Sequence, residues 1–160
     1  MKNYLILVPC LVLVSLTGCT NPDLPEKRIL TEEESRIFNT DDAVLFKQGK
    51  DSPGRHLFVF SRIDCPHCRN QSEEFRKIQD ITVHTFLVIT EKNAKNTIDS
   101  WCAYQARRNR ACSPAALRRN NGLANRLGIN GTPTIIFPNR VMYSGFMTAQ
   151  QIENTFNEDY

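Results

Sequence analysis

Apolar and polar positions along this chain recur with periods that change from stretch to stretch, and the changes predict an ordered set of elements. The opening stretch, "MKNYLILVPCLVLVSLTGC", holds one charge at Lys2, an apolar run from Tyr4 to Leu16, and small residues leading to Cys19. The run is shorter than the ~20 apolar residues of a membrane-spanning helix and has the build of an export-signal core. Thr20 to Lys27 is polar and contains prolines, which reads as a tether. Thr31 followed by Glu34 makes a capping box that opens a short helix to about Phe38. Ala43–Lys47 and His56–Ser61 are β-rich runs separated by the turn-rich "QGKDSPG". Pro66 stands where the first turn of a helix tolerates proline, and Phe75 and Ile78 mark the inward face of that helix. The nearly unbroken apolar end of Ile81–Thr90 predicts a central strand buried on both faces. Ile98, Trp101, Cys102 and Gln105 recur at helical spacing within Ala94–Arg110, which puts Cys102 on the buried stripe. A helix restarts at Ser113-Pro114 and stops at Gly128. Thr134–Phe137 and Val141–Ser144 flank "PNR" as a hairpin, and Thr148 with Gln151 caps a final helix anchored by Ile152 and Phe156. The order β-β-α-β-helices-β-β-α is that of an α/β domain.

Composition changes this picture little. A hydrophobic fraction of 41% and a charged fraction of 23% are those of a soluble globular protein. The net charge of +3 is uninformative, but its distribution is not. From Ser100 to Ile152 there is no Asp or Glu, yet there are seven arginines: Arg107, Arg108, Arg110, Arg118, Arg119, Arg126 and Arg140. A solvated helical face accounts for them better than a docking patch for an acidic partner or lipid headgroups, and nucleic acid is not an expected partner of an exported chain. Cys10 and Cys19 belong to the export segment. Cys65, Cys68, Cys102 and Cys112 remain, an even number in a compartment where disulfides persist, and their spacings favour 65–68 with 102–112. The stretch "DCPHCRN" sits at a strand-to-helix junction, so Cys65 and Cys68 meet the positive end of a helix dipole, where a thiolate is stabilised. On that pattern the pair reads as a redox couple rather than half of a metal site, and neither metal nor cofactor is expected.

With these motifs in place, the chain resembles the thioredoxin-fold disulfide oxidoreductases, and within them the catalytic domain of the bacterial DsbC and DsbG isomerase group. "VFSRIDCPHC" (Val59–Cys68), "WCAYQARRNRAC" (Trp101–Cys112) and "LGINGTPTIIF" (Leu127–Phe137) carry the resemblance. It implies a thioredoxin-like fold with a helical insertion between the central strand and a cis-proline loop. It makes Cys65 the exposed nucleophile and Cys68 the resolving thiol one turn inward, with Pro66 and His67 tuning the pair. It makes Thr132 and Pro133 the loop that holds a substrate strand, and Cys102–Cys112 a structural disulfide in the insertion. "LTGC" resembles the bacterial lipobox, with Cys19 lipidated, and Thr20 after it points to the outer membrane. Two features depart from the group: Pro66-His67 matches the oxidase DsbA, and Val59 stands where many thioredoxins bury an acid. Only Cys19 to Asp42 precedes the catalytic fold, where the group carries a dimerisation domain, so a monomer is expected. The expected organisation is a signal over 1–18, a lipid-anchored tether with a short helix over 19–42 and a catalytic domain over 43–160. The implied activity is thiol:disulfide exchange at the periplasmic face of a membrane, on cysteine-containing exported proteins, with an unidentified membrane redox partner. A metallochaperone using Cys65, His67 and Cys68 would leave the Gly-Thr-Pro-Thr loop unexplained, and a non-catalytic docking module would not need both cysteines. His56 and His84 fall in strands and read as packing or surface residues.

Overall fold

The computed structural model describes residues 24–158, so the signal segment and Cys19 lie outside the described residues. In chain order the elements are β1 (Glu26–Ile29), α1 (Glu32–Ser35), β2 (Val44–Gln48), β3 (His56–Ser61), α2 (Pro66–Phe75), β4 (Ile81–Leu87), α3 (Ala94–Arg107), α4 (Ala115–Arg126), β5 (Thr134–Ile136), β6 (Val141–Ser144) and α5 (Ala149–Phe156). The strands form one sheet in the order β1-β6-β5-β3-β4-β2. Among the described strands only β3 and β4 run parallel, and that pairing needs a crossover, which α2 provides. β3 alternates Leu57 and Val59 toward one face with Phe58 and Phe60 toward the other, so it is packed on both sides. On the first face, Val59, Val83, Ile135 and Tyr143 meet Phe75 and Ile78 from α2 and its end, and Ile152 of α5. On the second, Phe60, Phe86, Ile136 and Met142 meet Ala124 and Leu127 at the end of α4. Trp101 of α3 packs in a separate cluster with Leu87 at the end of β4 and Leu117 of α4. α3 and α4 thus fill the interval between β4 and the Thr132–Pro133 loop, as expected of the insertion.

Several expectations need correction. The tether over 19–42 is not a tether in its described part. Glu26–Ile29 pairs with Val141–Ser144 as an antiparallel edge strand, and Arg28 donates to the Leu127 carbonyl at 2.6 Å and pairs with Glu34. Leu30, only 1% exposed, then enters the core. The Thr31–Glu34 capping box is present, but α1 stops at Ser35 rather than Phe38. Ile37 and Phe38 leave the helix to pack inward, Phe38 stacking on Phe58 with ring centroids 4.7 Å apart. β4 ends at Leu87 rather than Thr90, because the Asn121 side chain takes over the backbone of Ile89: its Oδ1 accepts from Ile89 N–H at 2.9 Å and its Nδ2 donates to Ile89 O at 2.7 Å. α3 ends at Arg107, not Arg110, and Asn109 turns the chain at a φ of 54°. The buried stripe of α3 is Thr97, Trp101 and Gln105, and Cys102 lies beside it, half-buried.

The arginine-rich stretch is partly structural. Arg119 forms a bidentate pair with the buried Asp42, both bonds at 2.7 Å, and Arg110 reaches Asp41 at 3.1 Å. Arg108 lies over the Tyr104 ring and donates to its hydroxyl at 2.7 Å. The acids missing from Ser100–Ile152 are supplied by the turn at Thr40–Asp42.

Candidate active site

α2 starts at its cysteine. Cys65 has the extended backbone of an N-cap (φ −98°, ψ 113°), Pro66 occupies the first turn, and Cys65 Sγ accepts from the Cys68 N–H at 3.1 Å. Sulfur therefore takes the capping role usually filled by a hydroxyl or carboxylate oxygen, at the positive end of the helix. Cys65 and Cys68 are joined as a disulfide, with their Cα atoms 5.2 Å apart. Across from them the Thr132–Pro133 peptide is cis, and the Thr132 carbonyl oxygen lies 3.4 Å from Cys65 Sγ. Pro133 is buried and Thr132 half-buried. The expected contrast between an exposed Cys65 and an inward Cys68 is not seen, since each is 5% exposed. With the pair closed, Cys65 faces the Thr132 carbonyl and its sulfur is bonded back toward the helix. His67 is exposed, and its side chain makes no hydrogen bond or ion pair with the described residues. Val59 is buried in the core beneath the site.

Three side chains that pattern reading passed over hold this site together. Gln71, 1% exposed, clasps Met147: its Oε1 accepts from Met147 N–H at 2.8 Å and its Nε2 donates to Met147 O at 2.9 Å. Glu74 accepts from the Ala149 N–H at 2.8 Å, at the start of α5. Its carboxyl is held below the usual 4.5 by the Lys77 hydrogen bond first and by the Ala149 amide second. Gly145 N–H in turn donates to Pro133 O at 2.9 Å, so the loop after β6 connects the cis-proline to α2. Gly145 sits at a φ of +139°, and a Cβ there would come within 3.1 Å of Pro25. The third is Asn93, buried, whose Nδ2 donates to Asp64 Oδ1 at 2.8 Å and whose Oδ1 accepts from Thr90 N–H at 2.7 Å. Asp64 also pairs with Arg62, and its carboxyl is lowered mainly by the Asn93 bond. A signal for Gln71 did exist: Cys68, Gln71 and Phe75 are spaced as one inward helical face, so a polar side chain stood at a core position.

Away from this site, Cys102 and Cys112 are bonded across the α3–α4 connection, with Cα atoms 4.9 Å apart. His56 and His84 are not isolated packing residues. His56 Nε2 lies 2.7 Å from Asp51 Oδ1, and His84 Nε2 lies 3.4 Å from His56 Nδ1. Among the described residues no three His, Cys, Asp or Glu side chains converge as a metal-ligand set, and no helix is long and apolar enough to cross a membrane.

A sheet with one parallel pair bridged by a CxxC-capped helix, facing a cis-proline loop, defines a thioredoxin-like protein. Residues 39–158 match the thioredoxin-like domain family, to which the chain belongs. It is similar to the probable thiol:disulfide interchange protein DsbC of Bordetella parapertussis, 26% identical over 121 residues, covering 67% of this chain and 43% of that protein. The chain therefore spans less than half the length of the curated relatives it matches. The crystal structure of a disulfide interchange protein from Neisseria gonorrhoeae superimposes with a TM-score of 0.62 at 27% identity, over 75% of this chain and 96% of that one. A periplasmic thioredoxin-like protein from Salmonella enterica serovar Typhimurium shares the fold, with a TM-score of 0.54 at 14% identity over 81% and 97% of the two chains.

Proposed function

We propose that this protein is a thiol:disulfide oxidoreductase of the bacterial cell envelope that exchanges disulfides in exported, cysteine-containing proteins through Cys65 and Cys68. The observation that carries the reading is the bonded pair at the start of α2 with the Thr132 carbonyl 3.4 Å from Cys65 Sγ. In the reduced protein the Cys68 N–H and the helix terminus favour the Cys65 thiolate, and exposed His67 adds to this when protonated. That thiolate attacks a client disulfide, the departing client sulfur leaves as a thiolate, and a mixed disulfide forms. Cys68 then attacks Cys65 Sγ, releases the second client sulfur and closes the pair, so two electrons pass to the client. Run in reverse, the same steps oxidise a dithiol. Thr132 and Pro133 present backbone to the client strand beside the reacting sulfur. A lipid on Cys19 holds the domain at the periplasmic face of a membrane, the outer one by the Thr20 rule, and a membrane redox partner recycles the pair. The Cys102–Cys112 bridge is structural.

A Cys68→Ala variant tests the chemistry, because it stops the reaction at the mixed disulfide. Client proteins should accumulate on Cys65 in reductant-sensitive adducts that Cys65→Ala lacks, and an absence of adducts would refute the exchange reading. Membrane fractions of a Cys19→Ala variant should lose the protein.

A further inference from the structure

Beside the disulfide lies a groove of about 400 Å³ that the exchange steps do not themselves use. It exists because β2 is the sheet's edge strand, beyond the crossover helix α2. Its floor is apolar, made by Val44 and Phe46 of β2, Val83 and Leu87 of β4, and Phe75 of α2. Its rim is basic, with Arg62, Arg69 and Arg76, and no Asp or Glu lines it. Arg62 and Arg76 have acidic neighbours outside the lining, Asp64 at 3.3 Å and Glu73 at 3.6 Å, whereas the Arg69 guanidinium engages no acceptor among the described residues. Cys65 and Cys68 close one end of the groove, so whatever occupies it lies next to the reacting sulfurs. At that same end the Tyr104 hydroxyl accepts from the outward Leu45 N–H at 2.9 Å. Strand addition at the edge of β2 is blocked there, and side chains rather than backbone must hold the occupant.

We infer that the groove selects clients: it seats an extended client segment that carries an apolar side chain and an Asp or Glu close to its reacting cysteine. This deepens the exchange reading and rests on it. The apolar residue fills the floor over Phe46 and Val83, and the acid meets Arg69 or Arg76. Arg76 lies about 12 Å of helix beyond Cys68, which an extended chain spans in about four residues. A second copy of this chain fits less well, because a groove of this volume admits a few side chains and a stable subunit interface buries ~1,200 Å² or more.

The test uses the full chain in detergent, reduced beforehand, in single turnover. It reduces two disulfide peptides that differ only in flanking Leu-Glu or Leu-Lys pairs, with neutral 2-hydroxyethyl disulfide as a small reference. Each turnover opens one substrate disulfide and closes Cys65–Cys68, so no further reductant enters. The Glu peptide should react roughly five-fold faster at low salt, the margin expected of exposed charge pairs, and the ratio should fall as salt rises. Arg69→Glu combined with Arg76→Glu should invert the ratio. Because both peptides meet the same variant, the ratio is insensitive to any change in Cys65 thiolate stability. A ratio near one, or one unmoved by charge reversal, would overturn the client groove. So would a dimer in sedimentation that Phe46→Asp dissolves, which would give the groove to a second copy. Failure to reduce 2-hydroxyethyl disulfide at all would instead remove the exchange reading beneath it.

Discussion

Cys65 and Gln71 act through one helix in different ways. Cys65 presents sulfur to the α2 amides, and Gln71, further along the inward face, pins that helix to Met147 with a paired donor and acceptor. Replacing Gln71 by Leu keeps the bulk but leaves a buried N–H and a buried carbonyl unpaired. Each costs about 1–3 kcal/mol, so the variant should be less stable by roughly 2–6 kcal/mol, read from denaturant melts. A loss below half a kcal/mol would mean that the loop finds other partners. The two residues also differ in how legible they were. Cys65, Cys68, Thr132 and Pro133 were legible because a CxxC ahead of a helix and a Gly-Thr-Pro-Thr ahead of a strand are distinctive sequence patterns. Gln71 does not, because its partner is a backbone 76 residues away and a lone glutamine in a helix usually faces water. The equal burial of the two cysteines was likewise beyond sequence, since it depends on the loop that folds over them.

At the scale of elements, the strongly periodic strands and helices were readable, and short or charged ones were not. β1, "EKRI", is exposed along its length and takes its place from the ladder with β6, so its residues carry no amphipathic signature. The chain of side chains across β3 and β4 was similarly hidden, because strand periodicity shows which face His56 and His84 share but not their register. The register sets Phe58 opposite His84 and His56 opposite Thr82, with Lys47 across from Thr82 on β2. Asp51 accepts from His56 and from Thr82 and pairs with Lys47 at 2.6 Å. Burial first, then the neighbouring His56 and Lys47, hold the His84 pKa below the ordinary 6.5, with Asp51 opposing. The sign follows from linkage. Unfolded His84 takes up a proton near 6.5 and folded His84 only at lower pH, so stability is full above 6.5 and declines as pH falls through that window. NMR titration of the imidazole should give a midpoint below 6.5, and His84→Phe should flatten stability against pH there. A midpoint at or above 6.5 would contradict the burial argument.

Taken whole, the molecule puts its CxxC and its cis-proline loop at one end of the sheet and braces that end with α3 and α4. β3 ends at the CxxC, the Thr132–Pro133 loop meets it from β5, and the groove opens beside it on the α2 face. α4 packs on the other face, α3 packs with Leu87 and Leu117 in a separate cluster, and Cys102–Cys112 closes the connection between the two helices. That connection has a second brace, the Trp101 indole N–H donating to Ser113 O at 3.1 Å, and Trp101 packs with Leu87 and Leu117 near Ile63, just ahead of the CxxC. The two braces divide the work. The covalent one limits the unfolded chain, and for a sequence separation of 10 its removal costs about 2–3 kcal/mol. The noncovalent one keeps the folded geometry behind Ile63. Cys102→Ser with Cys112→Ser should therefore melt earlier by that amount, yet reduce a peptide disulfide at the wild-type rate at temperatures where it is still folded. Unchanged stability would show that the bridge constrains nothing in the unfolded chain. Lost exchange in a folded variant would instead make Cys102 and Cys112 a second redox pair rather than a brace.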